Sequence, residues 1–276
     1  MNVWAALLLF LSLLAGACAA KADAQQDAAD TIDPSLMTLT FSEEFNDLDV
    51  GRRNQPGRKW TAGLPYRGDF GRAQFVGSPR REFPFRIDDG VLIIEAHRRW
   101  NGKWESGLLS SVDGSYNGFS QKYGYFETRM KMPGGPGTWP AFWLLGTGQG
   151  LDGYTAEIDI IEFYPRREKN YDTALRVFYG KGLGQNKKKV KKFILPNTAF
   201  TETFNTYGAL VTPEDVSFYL NRKEVSRFPT FPEHRQPFYI LLNLALEKQT
   251  DLDTLESPQR LYVDYVRVYA LDSNNQ

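Results

Sequence analysis

From Thr38 to Tyr269 the chain consists of short apolar–polar alternations broken by Gly, Pro, Asn and Asp. Phe85-Arg86-Ile87 runs into Asp88-Asp89-Gly90 and then Val91 to Ala96. Gly107 to Ser111, Tyr123 to Met132, Thr138 to Leu145, Thr173 to Tyr179, Thr206 to Val211, Val216 to Leu220, Phe238 to Ala245 and Leu261 to Tyr269 follow in the same style. A period of two between turn signals predicts half-buried strands. Asn221-Arg222-Lys223 predicts a tight turn into Glu224-Val225. Beyond the first twenty residues no segment carries a helical stripe. Many short strands without a break in composition predict one all-β sandwich over residues 38–272. Residues 49 to 81, rich in Gly, Arg, Pro and aromatics, are read as an irregular segment wrapping a cleft edge with Trp60, Tyr66, Phe70 and Phe75. The basic run Lys187 to Lys192 is read as a solvated loop, with a contact to an acidic polysaccharide as the other reading.

The first 37 residues follow a different pattern. Ala5 to Ala20 is apolar or small, and its Leu-rich core, Leu7 to Leu14, is too short to span a bilayer. The run ends in Ala15-Gly16-Ala17-Cys18-Ala19-Ala20, a small-residue cleavage pattern. Residues 1–20 are therefore read as an export signal and 21–37 as a flexible linker. Cys18 follows an imperfect lipobox, so the expected product is either a free periplasmic or extracellular protein or one lipid-anchored through Cys18.

Composition narrows the classes. In 276 residues, Lys+Arg and Asp+Glu balance at 33 each, so nothing global points to nucleic acid or to an anionic membrane. The single Cys excludes an intramolecular disulfide, and two separated His, His97 and His234, give no zinc or His-based triad signal. No transmembrane span is expected in the mature protein, which is read as a monomer. Aromatic content is 14%. Such residues serve sheet packing, and exposed Trp and Tyr also suit sugar binding.

Candidate chemistry concentrates in Ala156-Glu157-Ile158-Asp159-Ile160-Ile161-Glu162-Phe163. Extended chain puts Glu157 and Asp159 on one face and, by parity, Glu162 on the other. One bulge between 159 and 162, at Ile160-Ile161, would restore Glu162 to the same face. The stretch alone reads either as a solvated face or cation site, or as carboxylates that raise one another's pKa for acid/base work. Upstream, Trp139 and Trp143 share a face with Ala141 between them, a platform for sugar rings. Glycoside hydrolysis needs two carboxyl groups across one bond, roughly 5–5.5 Å apart in retaining enzymes. Glu157 and Glu162 lie on the order of 13 Å apart along the backbone, a gap that inward-leaning side chains can narrow.

The motif Glu157-Ile158-Asp159-Ile160-Ile161-Glu162 resembles the E-x-D-x-x-E signature of glycoside hydrolase family 16, the laminarinase and lichenase group. Phe41 to Phe45, Tyr123 to Arg129, Gly137 to Trp143, Phe238 to Leu244 and Tyr262 to Tyr269 are similar to family segments in the same order. The segment around Ser106 to Ser111 looks most like the bacterial branch that includes exopolysaccharide depolymerases. The resemblance implies a β-jelly roll of two curved antiparallel sheets with a concave cleft. It also implies a retaining endo-β-glycanase acting on β-1,3- or mixed-linkage glucan or a bacterial exopolysaccharide. Glu157 matches the nucleophile, Asp159 the assisting acid and Glu162 the general acid/base. Trp139, Trp143 and Asn243 match substrate-binding positions. No cofactor is implied for catalysis; a structural calcium is, at Glu43, Gly90 and Asp264. Relatives often carry a cleft His on the strand that here reads Thr173-Ala174-Leu175-Arg176-Val177, and this chain has none there. The Tyr164 to Glu168 loop is more basic than expected, which with Lys187 to Lys192 leaves an acidic exopolysaccharide open as substrate. A non-catalytic carbohydrate-binding jelly roll and a transglycosylase on the same scaffold are the alternatives.

Overall fold

The computed structural model describes residues 31–66, 68–79, 82–148, 153–167, 170–179, 186–194 and 198–271, with backbone alone at 167, 170, 186–194 and 198–199. The expected export signal, Cys18 and most of the linker lie outside the described residues. Among those described, no helix is long and apolar enough to cross a membrane. The strands are β1 (Thr38–Glu43), β2 (Val50–Gly51), β3 (Trp60–Ala62), β4 (Ala73–Phe75), β5 (Phe85–Asp88), β6 (Val91–Arg98), β7 (Trp104–Ser106), β8 (Leu108–Ser110) and β9 (Gly124–Lys131). They continue with β10 (Thr138–Gly146), β11 (Tyr154–Phe163), β12 (Asn170–Tyr179), β13 (Asn186–Ile194), β14 (Asn205–Val211), β15 (Asp215–Leu220), β16 (Lys223–Pro229), β17 (Phe238–Leu246) and β18 (Gln259–Ala270). Among the described residues, helical structure amounts to single turns such as Thr198–Thr201.

Two sheets stack as the alternation requires. One runs β16-β15-β14-β9-β18-β6-β7-β4, with β1 added on β18 and β5 on β6. The other runs β13-β12-β11-β10-β17-β8-β3-β2. Pairing is antiparallel except for β2 with β3 and β4 with β7. Between the sheets lies one apolar core that includes Phe126, Phe142, Leu144, Ile158, Leu242 and Val266. The opposite face of the second sheet carries a separate cluster of Leu64, Phe75, Leu108, Ala141, Trp143, Tyr239 and Ala245. β10 shows the division of labour: Phe142 and Leu144 point into the core, while Trp139, Ala141, Trp143 and Leu145 belong to the outer cluster.

Two expectations need correction. Residues 49 to 81 are not wholly irregular, because they contribute β2, β3 and β4. Strands of two or three residues are too short to display an alternation. The Lys187 to Lys192 run is not a loop: it forms β13, the outermost strand of the second sheet, paired with β12 from Asn170↔Ile194 to Phe178↔Asn186. Lysine suits an edge strand, where charge discourages further pairing. The Asn221-Arg222 turn is as expected, with φ of 50° and 65°, the left-handed values that a two-residue hairpin loop needs.

Candidate active site

β11 carries the bulge. Against β10 the register runs Glu157↔Leu145, Ile158↔Leu144 and Asp159↔Trp143, then jumps to Ile161↔Phe142 and Glu162↔Ala141. Ile160 is the extra residue. The same shift appears against β12, between Asp159 and Glu162. Ile160 and Ile161 consequently both enter the core, and Glu162 returns to the face of Glu157 and Asp159. The two isoleucines bury side chains worth about 1.5–3 kcal/mol each, which fixes the phase of the acids on either side.

The three acids meet on one cation. Arg176, opposite Glu157 on β12, places Nη1 2.9 Å from Glu157 Oε1 and 3.2 Å from Asp159 Oδ2. Its Nη2 donates to Glu162 Oε2. Glu162 Oε1 also accepts from Trp139 Nε1 and from the Tyr164 hydroxyl, each at 3.1 Å. The acids are nearly closed off from solvent at 9%, 2% and 2% exposure in chain order.

Burial is the main influence on the protonation of Glu157 and Asp159. It raises Glu157 above the ordinary carboxylate range; Arg176 opposes the rise and the Glu162 charge adds to it. Asp159 is pushed well above that range by burial, again against Arg176, with Glu157 and Glu162 adding to the push. Asp159 is thus the acid best suited to keep a proton at neutral pH. Burial opposes the charge on Arg176, but the three carboxylates outweigh it and raise its pKa further. Tyr164 is also raised, by burial and then by the Glu162 charge, so its hydroxyl stays a donor.

Around the acids the aromatic residues form a floor and a wall. Trp139 stacks on Tyr164 with ring centroids 5.8 Å apart and meets Phe70 edge-on at 5.3 Å. Trp143 is only 7% exposed, packs against Phe70 at 5.8 Å and donates Nε1 to Asn243 Oδ1 at 2.8 Å. Asn243 is buried and spends its amide on the Trp139 carbonyl at 3.2 Å. Trp139 is therefore the accessible half of the predicted pair, and Trp143 with Asn243 forms the bed under it.

Three residues of the site were not singled out from sequence as members. Arg176 was noted only as part of a strand lacking His; a lone Arg between Leu175 and Val177 was the available signal. Tyr164 lay in a loop noted only for its basic charge. His234, far away in sequence, places Nε2 3.0 Å from the Glu157 carbonyl oxygen. Burial lowers its pKa, so the neutral ring braces the acidic strand by donating Nε2–H. The basic character expected of the 164–168 loop is partly spent internally, since Arg166 pairs with the buried Glu247 at 2.5 Å.

The positions nominated for calcium do not fit one as they stand. Glu43 accepts from the Phe45 N–H at 2.9 Å and from Trp60 Nε1 at 3.0 Å, and Lys59 Nζ stands 3.2 Å from it. Asp264 pairs with Arg129. Gly90 serves a turn at φ 73°. Calcium needs six to eight oxygen ligands, and both carboxylates here already face cations. Among the described residues no group of three or more His, Cys, Asp or Glu could hold a metal ion.

A family model described as Glycosyl hydrolases family 16 matches residues 87–250, which include the bulged strand and its acids. The chain belongs to that family. It is 31% identical over 269 residues to the endo-1,3-1,4-beta-glycanase ExsH of Rhizobium meliloti, covering 89% of this chain and 54% of the relative. It is 33% identical to a beta-glucanase of Rhodothermus marinus over 67% of this chain and 69% of that one. The chain thus spans about half the length of the first of these family 16 relatives. The catalytic domain of an endo-1,3-beta-glucanase (laminarinase) from Thermotoga petrophila superposes with a TM-score of 0.68 at 24% identity, covering 86% of this chain and 99% of that one. That likeness shows the fold: the family 16 jelly roll expected from the sequence.

Proposed function

We propose that this family 16 chain hydrolyses internal bonds of a β-1,3- or mixed β-1,3/1,4-glucan, or of a related exopolysaccharide, with retention of configuration. The observation that supports this most is the bulge at Ile160, which sets Glu157, Asp159 and Glu162 around one guanidinium in a cleft. An acid pair that a single guanidinium can bridge suits the close spacing of retaining enzymes better than the wider gap that admits a water.

Glu157 attacks the anomeric carbon as its carboxylate. Protonated Asp159 beside it limits the local negative charge, and Arg176 holds the attacking oxygen in place. Glu162 gives a proton to the leaving oxygen as the glycosidic bond breaks. In the second half, Glu162 takes a proton from water, whose oxygen displaces Glu157 and frees the product. Trp139, Tyr164 and Arg176 all donate to Glu162. Proton delivery therefore requires Arg176 to release Oε2 and rest on Glu157 and Asp159 as sugar enters. The charge bookkeeping needs no metal. Export, with or without an anchor at Cys18, remains part of this proposal, since a polymeric glucan lies outside the cell.

The test uses laminarin and mixed-linkage glucan, with proton NMR of the first-formed anomer. Glu157→Gln and Glu162→Gln should each remove nearly all turnover while oligosaccharide binding persists. Near-normal activity in either variant, or an inverted anomer, would refute the roles. Products longer than the starting oligosaccharide would mark the chain as a transglycosylase. Binding without cleavage of any glycan by the intact protein would make it a carbohydrate-binding jelly roll.

A further inference from the structure

Away from the acids, beside Ala62 of β3, lies a groove of about 750 Å³. Among the described residues its walls bring together Arg52, Arg53, Gln74, Phe75, His97 and Arg99, with Glu105 as the one carboxylate. Arg99 Nη1 lies 3.5 Å from Glu105, and His97 Nε2 lies 3.8 Å from it. Arg53 donates Nε to the Leu64 carbonyl at 2.8 Å, which holds its loop; its terminal nitrogens have no partner among the described residues. The Arg52 side chain makes no ion pair or hydrogen bond among the described residues. Three guanidinium groups against one carboxylate leave the groove positive. His97 is held in place by stacking on Phe83, with centroids 4.0 Å apart.

A run of aromatic contacts links the groove to the active site. Phe75, one of its walls, meets Phe70 at 4.9 Å, and Phe70 meets Trp139 at 5.3 Å. Trp139 in turn donates to Glu162. Across the sheet the path crosses β10, β17 and β8 between β11 and β3, four interstrand steps or about 19 Å. A polymer laid over the acids along this aromatic floor reaches the arginines several sugars from the bond to be cut.

We infer that this groove is a distal subsite for an anionic substituent, a carboxylate or sulfate carried on the glycan several sugars from the scissile bond. Planar guanidinium forks match such oxoanions. A neutral glucan would leave Arg52 hydrated and gain nothing from it. The inference rests on the proposed glycan-hydrolase function for the location of the chain in the cleft, and it goes further in assigning a charge to the substrate.

The test compares laminarin oligosaccharides with their succinylated and sulfated forms, on the intact protein and on an Arg52→Gln/Arg99→Gln double variant. Arg53 is spared because its loop depends on it. Affinities are read by calorimetry in a Glu157→Gln background, and cleavage is read separately in the active protein. The expected result is a preference for an anionic over the neutral oligosaccharide of about two- to fivefold, the scale of partly exposed ion pairs. High salt and the double variant should abolish it. Equal affinity for neutral and anionic forms, or a preference that survives the double variant, would overturn the inference. Arginine-dependent anion binding with no cleavage of any form would uphold the subsite and sink the hydrolase reading instead. The ratio of succinylated to sulfated binding identifies the anion.

Discussion

Replacing Arg176 by Gln removes the only cation within reach of three buried carboxylates among the described residues. Its side chain is 18% exposed and those of its partners 11%, 3% and 3%, so solvent screens the contact weakly. One ion pair near 4 Å is worth about 4 kcal/mol at an effective dielectric of 20. Deleting one partner of a buried pair costs about 3–5 kcal/mol. For a domain of this size the lower figure lowers Tm by about 6–12 °C at neutral pH. The sign of the pH dependence follows from the acids. Glu157 and Asp159 already sit above their ordinary range, and losing Arg176 drives them higher. Carboxylates that bind protons more tightly folded than unfolded lose stability as pH rises above about 4. The deficit should therefore be largest at neutral and alkaline pH and shrink as the medium is acidified. Activity should follow the same logic. Glu157 then ionises at higher pH, so the acid limb of the kcat/KM profile moves alkaline. Arg176→Lys keeps a charge but not the fork, and should recover the melting temperature more than the rate. Thermal melts at several pH values, with pH–rate profiles of all three proteins, measure this. An unmoved profile in Arg176→Gln, with an equal Tm deficit at every pH, would refute the coupling.

Deleting Ile160 should leave a folded sheet with Glu162 turned into the core or β11 slipped in register, and turnover should fall to background on any glucan that the parent cleaves. Trp139→Phe keeps the ring and removes the hydrogen bond to Glu162; at about 1.5–3 kcal/mol for a bond to a charged group, kcat should drop roughly ten- to hundredfold, with KM changed less. Chelation by EDTA should leave Tm and activity unchanged, because Lys59 and Arg129 hold the carboxylates nominated for calcium; a lower Tm that added calcium restores would place a cation there after all. Arg222→Ala should cost about 3–5 kcal/mol in denaturant melts, since the buried Glu127 loses a guanidinium that contacts both its oxygens at 3.0 Å.

Much of this was legible in the sequence. The parity of Glu157, Asp159 and Glu162 demanded a bulge, and the bulge lies at the named isoleucines. The long strands were readable because alternation needs length to show itself. β2, β3, β4 and β7 lack that length and were missed. β13 was missed because its five lysines hide any apolar–polar alternation. Arg176 illustrates a different limit. Its role depends on its register opposite Glu157, which pairing between strands decides and neither strand encodes alone. The calcium positions show the converse: the residue types matched a donor set, but Lys59 and Arg129, from other elements, reached the carboxylates.

The placement of β13 has a consequence for how the molecule behaves in company. Among the described residues β13 is the last strand of the cleft-bearing sheet, and a sheet edge is the usual starting point for strand exchange and fibril growth. Five lysines among the nine residues of Asn186–Ile194 mean that a second copy approaching edge to edge brings like charge against like charge. A polyanion neutralises that barrier. A growing shell of acidic polysaccharide around the protein would thus both screen and attract its unprotected margin, tying colloidal stability to the ionic character of the material in which it sits.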